Sequence, residues 1–227
     1  MTKVYCYLLF TLVCASATEA QNQPQLIIVQ PARPGQKMED GKSKMWVDGK
    51  VVAQTYCGGG SDLFSVSMKI SLRFTNLSNR PVILARKIPG PLAIRVAKNP
   101  EALRIGRFEY NPSIDPAVAE LPKSPLLGNT PDSKYFSILP PGETFETRIS
   151  TVIFGTQTRK KGSVGKGKHV LQLGLETWPY QWPWYTPVDA SKLAGRWSEY
   201  GHLITGNVYT EPVPFIIPEK VRVEPCE

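Results

Sequence analysis

Trp178, Tyr180, Trp182, Trp184 and Tyr185 fall within eight residues, interleaved with Pro179 and Pro183. Prolines hold such a segment extended and spread its rings over several directions. Flat exposed rings can stack on sugar faces or anchor a protein partner. The same rings can instead form a hydrophobic cap beneath a following helix, with Trp197 and Tyr200 completing it. A second concentration is cationic. Arg159, Lys160, Lys161, Lys166 and Lys168 fall within ten residues that contain no acid. Clustered cations attract polyanions, here an acidic polysaccharide or an anionic envelope surface. Their other use is a solvated turn that keeps a sheet edge from pairing.

Other chemistry finds little material. A nucleophilic serine needs a histidine base with an orienting acid. The chain has two histidines, His169 and His202, and no Gly-x-Ser-x-Gly elbow. One begins an expected strand and the other follows an expected helix stop, so both read as surface or end-of-element residues. Cysteine and histidine spacings fit no zinc site, and Gly58 to Asp62 lacks the repeated acids of a calcium loop. Gly162 to His169 approaches the phosphate-loop pattern, but His169 stands where a Ser or Thr should hold magnesium. A strand also follows where a helix should open, so this stretch reads as the tip of a hairpin. The expectation is a protein with no catalytic residues, no metal and no cofactor.

The N-terminus states where the chain goes. Lys3 is followed by an uncharged apolar run from Val4 to Val13. Ala15-Ser16-Ala17 and Thr18-Glu19-Ala20 each place small residues at the positions a signal peptidase reads. Residues 1–20 are therefore expected to be a secretory signal peptide, because a transmembrane helix needs ~20 apolar residues. The destination is the periplasm or the extracellular space. Cleavage leaves Cys57 and Cys226, which an oxidising compartment can pair in one intramolecular way.

The elements that must position these groups are strands. The chain has 227 residues with a formal charge of +8 and 41% hydrophobic composition, enough for a core. Its 21 prolines and 18 glycines punctuate it too often for a helical bundle. Residues 21–44 are polar and proline-containing and read as an arm, with residues 45–227 as one domain. Asp48-Gly49 between Met45–Val47 and Val51–Ala53 is a hairpin signal. Phe64, Val66, Met68, Ile70, Leu72 and Phe74 alternate with polar residues, which marks a strand with one buried face. Similar alternation recurs at Phe145–Ile153 and His169–Thr177. Leu92–Val96 and Leu103–Phe108 read as further strands. Val208–Ile217 reads as an extended edge because of Pro212 and Pro214. Asn111–Asp132 reads as a long loop. One helix is expected from Pro187 to Tyr200, capped by Thr186 and ended by Gly201.

The order Phe64–Leu84, Leu139–Phe154, Gly167–Trp178 resembles strands B, C, E and F of an immunoglobulin-like sandwich. The Cys…Trp…Cys signature of antibody domains is missing. The expected fold is thus an all-β, antiparallel immunoglobulin-like β-sandwich with one short helix near the C-terminus. Its expected role is binding or scaffolding. The partner is a glycan, a polyanionic envelope surface or another protein, with nucleic acid disfavoured outside the cytoplasm. The alternative is a carbohydrate-binding module that uses residues 178–185. Asn76-Leu77-Ser78 matches a glycosylation acceptor and is taken as turn chemistry.

Overall fold

A computed structural model describes residues 44–58, 62–88, 90–112, 114, 119–120, 128–156, 163–178, 180–181, 190–221 and 224–225. The expected signal peptide and all but the last residue of the arm lie outside them. In chain order the elements are β1 (Met45–Cys57), β2 (Leu63–Asn76), β3 (Val82–Ala85), β4 (Pro91–Ala97), helix α1 (Pro100–Arg104), β5 (Ala119–Glu120) and β6 (Phe136–Leu139). There follow β7 (Thr144–Thr156), β8 (Gly167–Glu176), β9 (Tyr180–Gln181), helix α2 (Ala190–Arg196), β10 (His202–Leu203), β11 (Asn207–Tyr209) and β12 (Val213–Ile217).

The chain is mostly β and sandwich-like. One sheet runs β1-β2-β7, antiparallel throughout. The other is built on β8, which pairs antiparallel with β4, β11 and β12. The period-2 pattern of β2 is the physical reason for the layering. Met68, Ile70 and Leu72 are buried in strict alternation with exposed Lys69 and half-buried Ser71. Their inward face shares one core with Leu171, Leu173 and Leu175 of β8, Ile94 and Val96 of β4 and Val213 of β12. A third sheet, β10-β3-β6, packs with α2 around a second cluster of Ile83, Phe136, Leu193, Trp197 and Leu203. β5 and β9 form a short parallel pair.

Several expectations are corrected. Asp48-Gly49 does not turn the chain, because β1 continues through it and Gly49 lies opposite Leu72. The glycine serves close approach instead: a Cβ there would come within 2.6 Å of Val213 Cγ2. Leu103–Phe108 is not a strand. Asn99 caps α1, its side chain accepting from Ala102 N–H at 2.8 Å, with Pro100 in the first turn. The chain therefore has two helices among the described residues rather than one, and α2 spans Ala190–Arg196, shorter than expected. Thr186 and Pro187 lie outside the described residues, as does most of Asn111–Asp132. Gly201 does close the helical region, with φ of 152° and its N–H donating to Trp197 O.

Three further differences concern connections. β7 and β8 are not a hairpin, since they belong to different sheets. The segment between them crosses from one sheet to the other, and Val164 bridges to Gly155 on the way. The stretch after Pro81, read as strand C, sits in the third sheet as β3, and the strand beside β8 is β4. Val208–Ile217 splits into β11 and β12 around Glu211, whose N–H donates to Val47 O. Asn76 ends β2 and its side chain braces the turn that follows, in line with the expected turn chemistry. It is buried, its amide donates to Arg80 O and Leu139 O at 2.8 Å each, and Ser78 N–H donates back to it. A side chain so engaged presents no amide to a glycan in the folded state.

Candidate functional site

Those sequence-predicted residues that the structure describes are not gathered into one place. Trp178 lies stacked on Phe136, ring centroids 5.9 Å apart, and packs against the second core with Tyr200. For Trp178 itself this is packing against the core. Tyr180 belongs to β9, while the side chains of Tyr180, Trp182, Trp184 and Tyr185 lie outside the described residues. Of the basic cluster, Arg159, Lys160 and Lys161 also lie outside them. Lys166 is half-buried in the connection and Lys168 is exposed on β8, opposite Ile216. Between Lys166 and Trp178, both described, lies β8, whose ten residues at ~3.3 Å each hold them ~30 Å apart.

A different constellation stands on the outer face of the β8 sheet. On β8 the residues Leu171, Leu173 and Leu175 point to the core, so Gln172, Gly174 and Glu176 point outward. Arg95 of β4 pairs with Gln172, Tyr209 of β11 with Gly174, and Asn207 with Glu176. Gly174 matters because a Cβ there would come within 2.9 Å of the Tyr209 ring. The cleared floor lets that ring lean across the strand toward Arg95. The guanidinium carbon sits 4.5 Å from the Tyr209 ring centroid and 5.4 Å from that of Phe108. Arg95 Nη2 donates to the Tyr209 hydroxyl at 3.3 Å.

The electrostatics of this face are incomplete. Among the described residues no carboxylate lies within ion-pair distance of Arg95. Arg95 Nε and Asn207 Oδ1 are buried atoms without a hydrogen-bond partner. Native proteins hold few such atoms, and each calls for an explanation. Burial pushes the Glu176 carboxyl above its usual range, against the pull of the Trp178 N–H. The face therefore offers a guanidinium without a counter-ion, two rings and three amide or carboxyl groups, all half-buried. Nothing in the chain's spacing singled out Arg95, since its partners come from distant positions.

No protein-family model, no curated protein and no solved structure matches this chain. The site must therefore be judged on its own geometry.

Among the described residues neither histidine is hydrogen-bonded to a serine, threonine or cysteine side chain. His169 lies near the start of β8, as expected, but is buried rather than at the surface. Its Nδ1 lies 2.9 Å from Glu109 Oε2 and its Nε2 lies 2.7 Å from Gly165 O. Both nitrogens are thus occupied in tying β8 to the segments before and beside it. Burial pulls the imidazole below its ordinary pKa, Lys98 adds to this, and Glu109 with the Gly165 carbonyl opposes it. His202 lines a cleft of about 220 Å³ with Ser198 and Glu199. There the Ser198 hydroxyl donates to Gly195 O at 2.9 Å. Burial first, and then the Arg80 charge, hold His202 below its ordinary pKa. No group of three metal-ligating side chains occurs among the described residues, and none of their helices is long and apolar enough to cross a membrane.

Proposed function

We propose that this is an exported, non-catalytic binding module whose ligand is a saccharide bearing a carboxylate, held on the outer face of the β8 sheet. The observation that carries the reading is Arg95, clamped between Tyr209 and Phe108 with no counter-ion among the described residues. A guanidinium presents a planar fork that matches a carboxylate. Aromatic neighbours fix that fork in advance, so less entropy is lost on binding. Gln172, Glu176 and Asn207 beside it suit the hydroxyls of a sugar ring. We read the orders β1-β2-β7 and β4-β8-β12 as the A-B-E and C-F-G pairings of an immunoglobulin-like sandwich, a reading of the scaffold that carries no function by itself.

The test is titration calorimetry with uronate-containing oligosaccharides, with neutral oligosaccharides as the control. Arg95→Gln should weaken binding at least about tenfold, since a charge-assisted bidentate contact is lost. The Lys160→Gln/Lys161→Gln/Lys166→Gln variant should retain it and lose only salt-dependent attraction. Binding that survives Arg95→Gln but fails in the lysine variant would move the site to the basic connection. Binding of neutral sugars lost in Trp182→Ala/Trp184→Ala would move it to the aromatic segment.

Export also implies the bridge between Cys57 and Cys226. Cys57 forms a parallel bridge to Glu224, with Gly58 N–H donating to Glu224 O at 2.9 Å. Cys226 lies outside the described residues, two positions further on. Material recovered from its exported compartment should show no titratable thiol when denatured without reductant. One or two thiols per chain would refute the pairing.

A further inference from the structure

We propose that two copies of this chain pair through β7, edge to edge and antiparallel, to form one continuous six-stranded sheet. β7 is the last strand of β1-β2-β7. It is 13 residues long, contains no proline or lysine, and pairs with β2 without a register shift. Natural edges are blunted by short strands, lysine, proline or bulges. β12 carries Pro214, and β1 carries an irregularity between Val51 and Ala53. β7 has no proline, lysine or bulge, and Glu146 and Arg148 are its only charged residues.

The hydrogen-bond phase shows which groups β7 offers. Asn76 N–H donates to Glu143 O, so the odd-numbered residues of β7 bond inward to β2. At the other end Val164 N–H donates to Phe154 O and Thr156 N–H to Val164 O, so even-numbered residues bond away from β2. Val164 thus closes the far end of the edge. Thr144, Glu146, Arg148, Ser150 and Val152 direct their N–H and C=O groups outward, and among the described residues no strand receives them.

Charge selects both the partner and the register. Asp48 of β1, Arg73 of β2 and Glu146 of β7 lie in one row across the sheet. Arg73 bonds Asp48 at 2.9 Å, and among the described residues neither Glu146 nor Arg148 has an ion-pair partner. A two-fold axis at Thr147 sets Glu146 opposite Arg148 of the second copy and Arg148 opposite its Glu146. The row then alternates in sign across the junction, from Asp48 through Arg73 and Glu146 to the second copy's Arg148. Directly opposed opposite charges stabilise antiparallel pairs, whereas like charges destabilise them. Centring the axis on Arg148 would oppose two arginines. Centring it on Ile149 or Ser150 would leave both charges facing Ser150, Val152 or Phe154. The chosen register also carries exposed Val152 and Phe154 (46% and 53%) toward the second copy's exposed Pro140-Pro141 turn.

Sedimentation equilibrium of the purified chain tests this. The chain should be a dimer that dissociates as salt is raised. Glu146→Arg and Arg148→Glu should each weaken the dimer about tenfold or more, by opposing like charges at both symmetric contacts. The double variant Glu146→Arg/Arg148→Glu should restore it. Ser150→Pro removes an outward N–H without removing a bond to β2, and should give a monomer with an unchanged circular dichroism spectrum. A chain that is monomeric throughout, or a dimer that the charge exchange fails to restore, would overturn the proposal. The β7 edge and the Arg95 face lie on different sheets, so either can fail without the other.

Discussion

Replacing Trp197 with alanine is expected to lower the unfolding free energy by ~3–5 kcal/mol, the range for a buried aromatic truncated to a methyl. Trp197 follows α2 directly and is fully buried. Its ring meets Phe136 edge-on at 4.9 Å, and Phe136 in turn stacks on Trp178. Its Nε1–H donates to Gly128 O at 3.1 Å. Truncation opens a large cavity between α2 and the β10-β3-β6 sheet and orphans that carbonyl. The neighbours cannot collapse into the space, because Gly201 anchors the chain on Pro81. A Cβ on Gly201 would stand 2.7 Å from Pro81 O, which shows how closely the two backbones approach. Urea unfolding measures the effect. A change below about 1 kcal/mol would mean that the second cluster is peripheral to the fold.

The main layers were legible because burial on one face leaves a period of two in the chain. β2, β7 and β8 each show it, and their bounds follow the alternation closely. The errors share a cause: a local signal was read where a long-range contact decides. Gly49 has the neighbours of a turn residue, yet its small size serves the crossing of β12. Asn99-Pro100 is a helix start that a run of apolar residues obscured. His169 lies near the start of its strand as expected, but its burial is not legible because Glu109 and Gly165, which hold it, come from other segments. The β3 stretch has the composition of a sandwich strand, and only tertiary pairing sends it to the third sheet.

The candidate site was illegible for the same reason. Arg95 is a single cation in a short apolar strand, and its clamp partners come from β11 (Tyr209) and from the connection after α1 (Phe108). Tyr209 is 114 positions away. Its signature is a glycine opposite a tyrosine, Gly174 facing Tyr209, and that juxtaposition exists only once the register of β8 with β11 is known. The aromatic segment, by contrast, advertised itself in the sequence. Its one side chain within the described residues, Trp178, serves packing against the second core.

Leu72→Ala should cost ~2–5 kcal/mol, the transfer of the lost methyl groups plus the cavity they leave. Leu72 lies at the centre of the β1-β2-β7 sheet, fully buried, with Gly49 opposite on β1 and Thr147 opposite on β7. Gly49 cannot fill the cavity because it has no side chain, and Val213 already presses on it from the other layer. The cost should therefore fall in the upper part of the range. Lys69→Ala, three residues away on the opposite face of the same strand, should change stability by no more than about 0.5 kcal/mol. The contrast between the two isolates the face from the strand. Equal small effects would mean that β2 is not the core strand. Equal large effects would mean that the outer face is covered, as a β7-paired dimer alone would not produce, since its contacts lie along the far edge of the sheet.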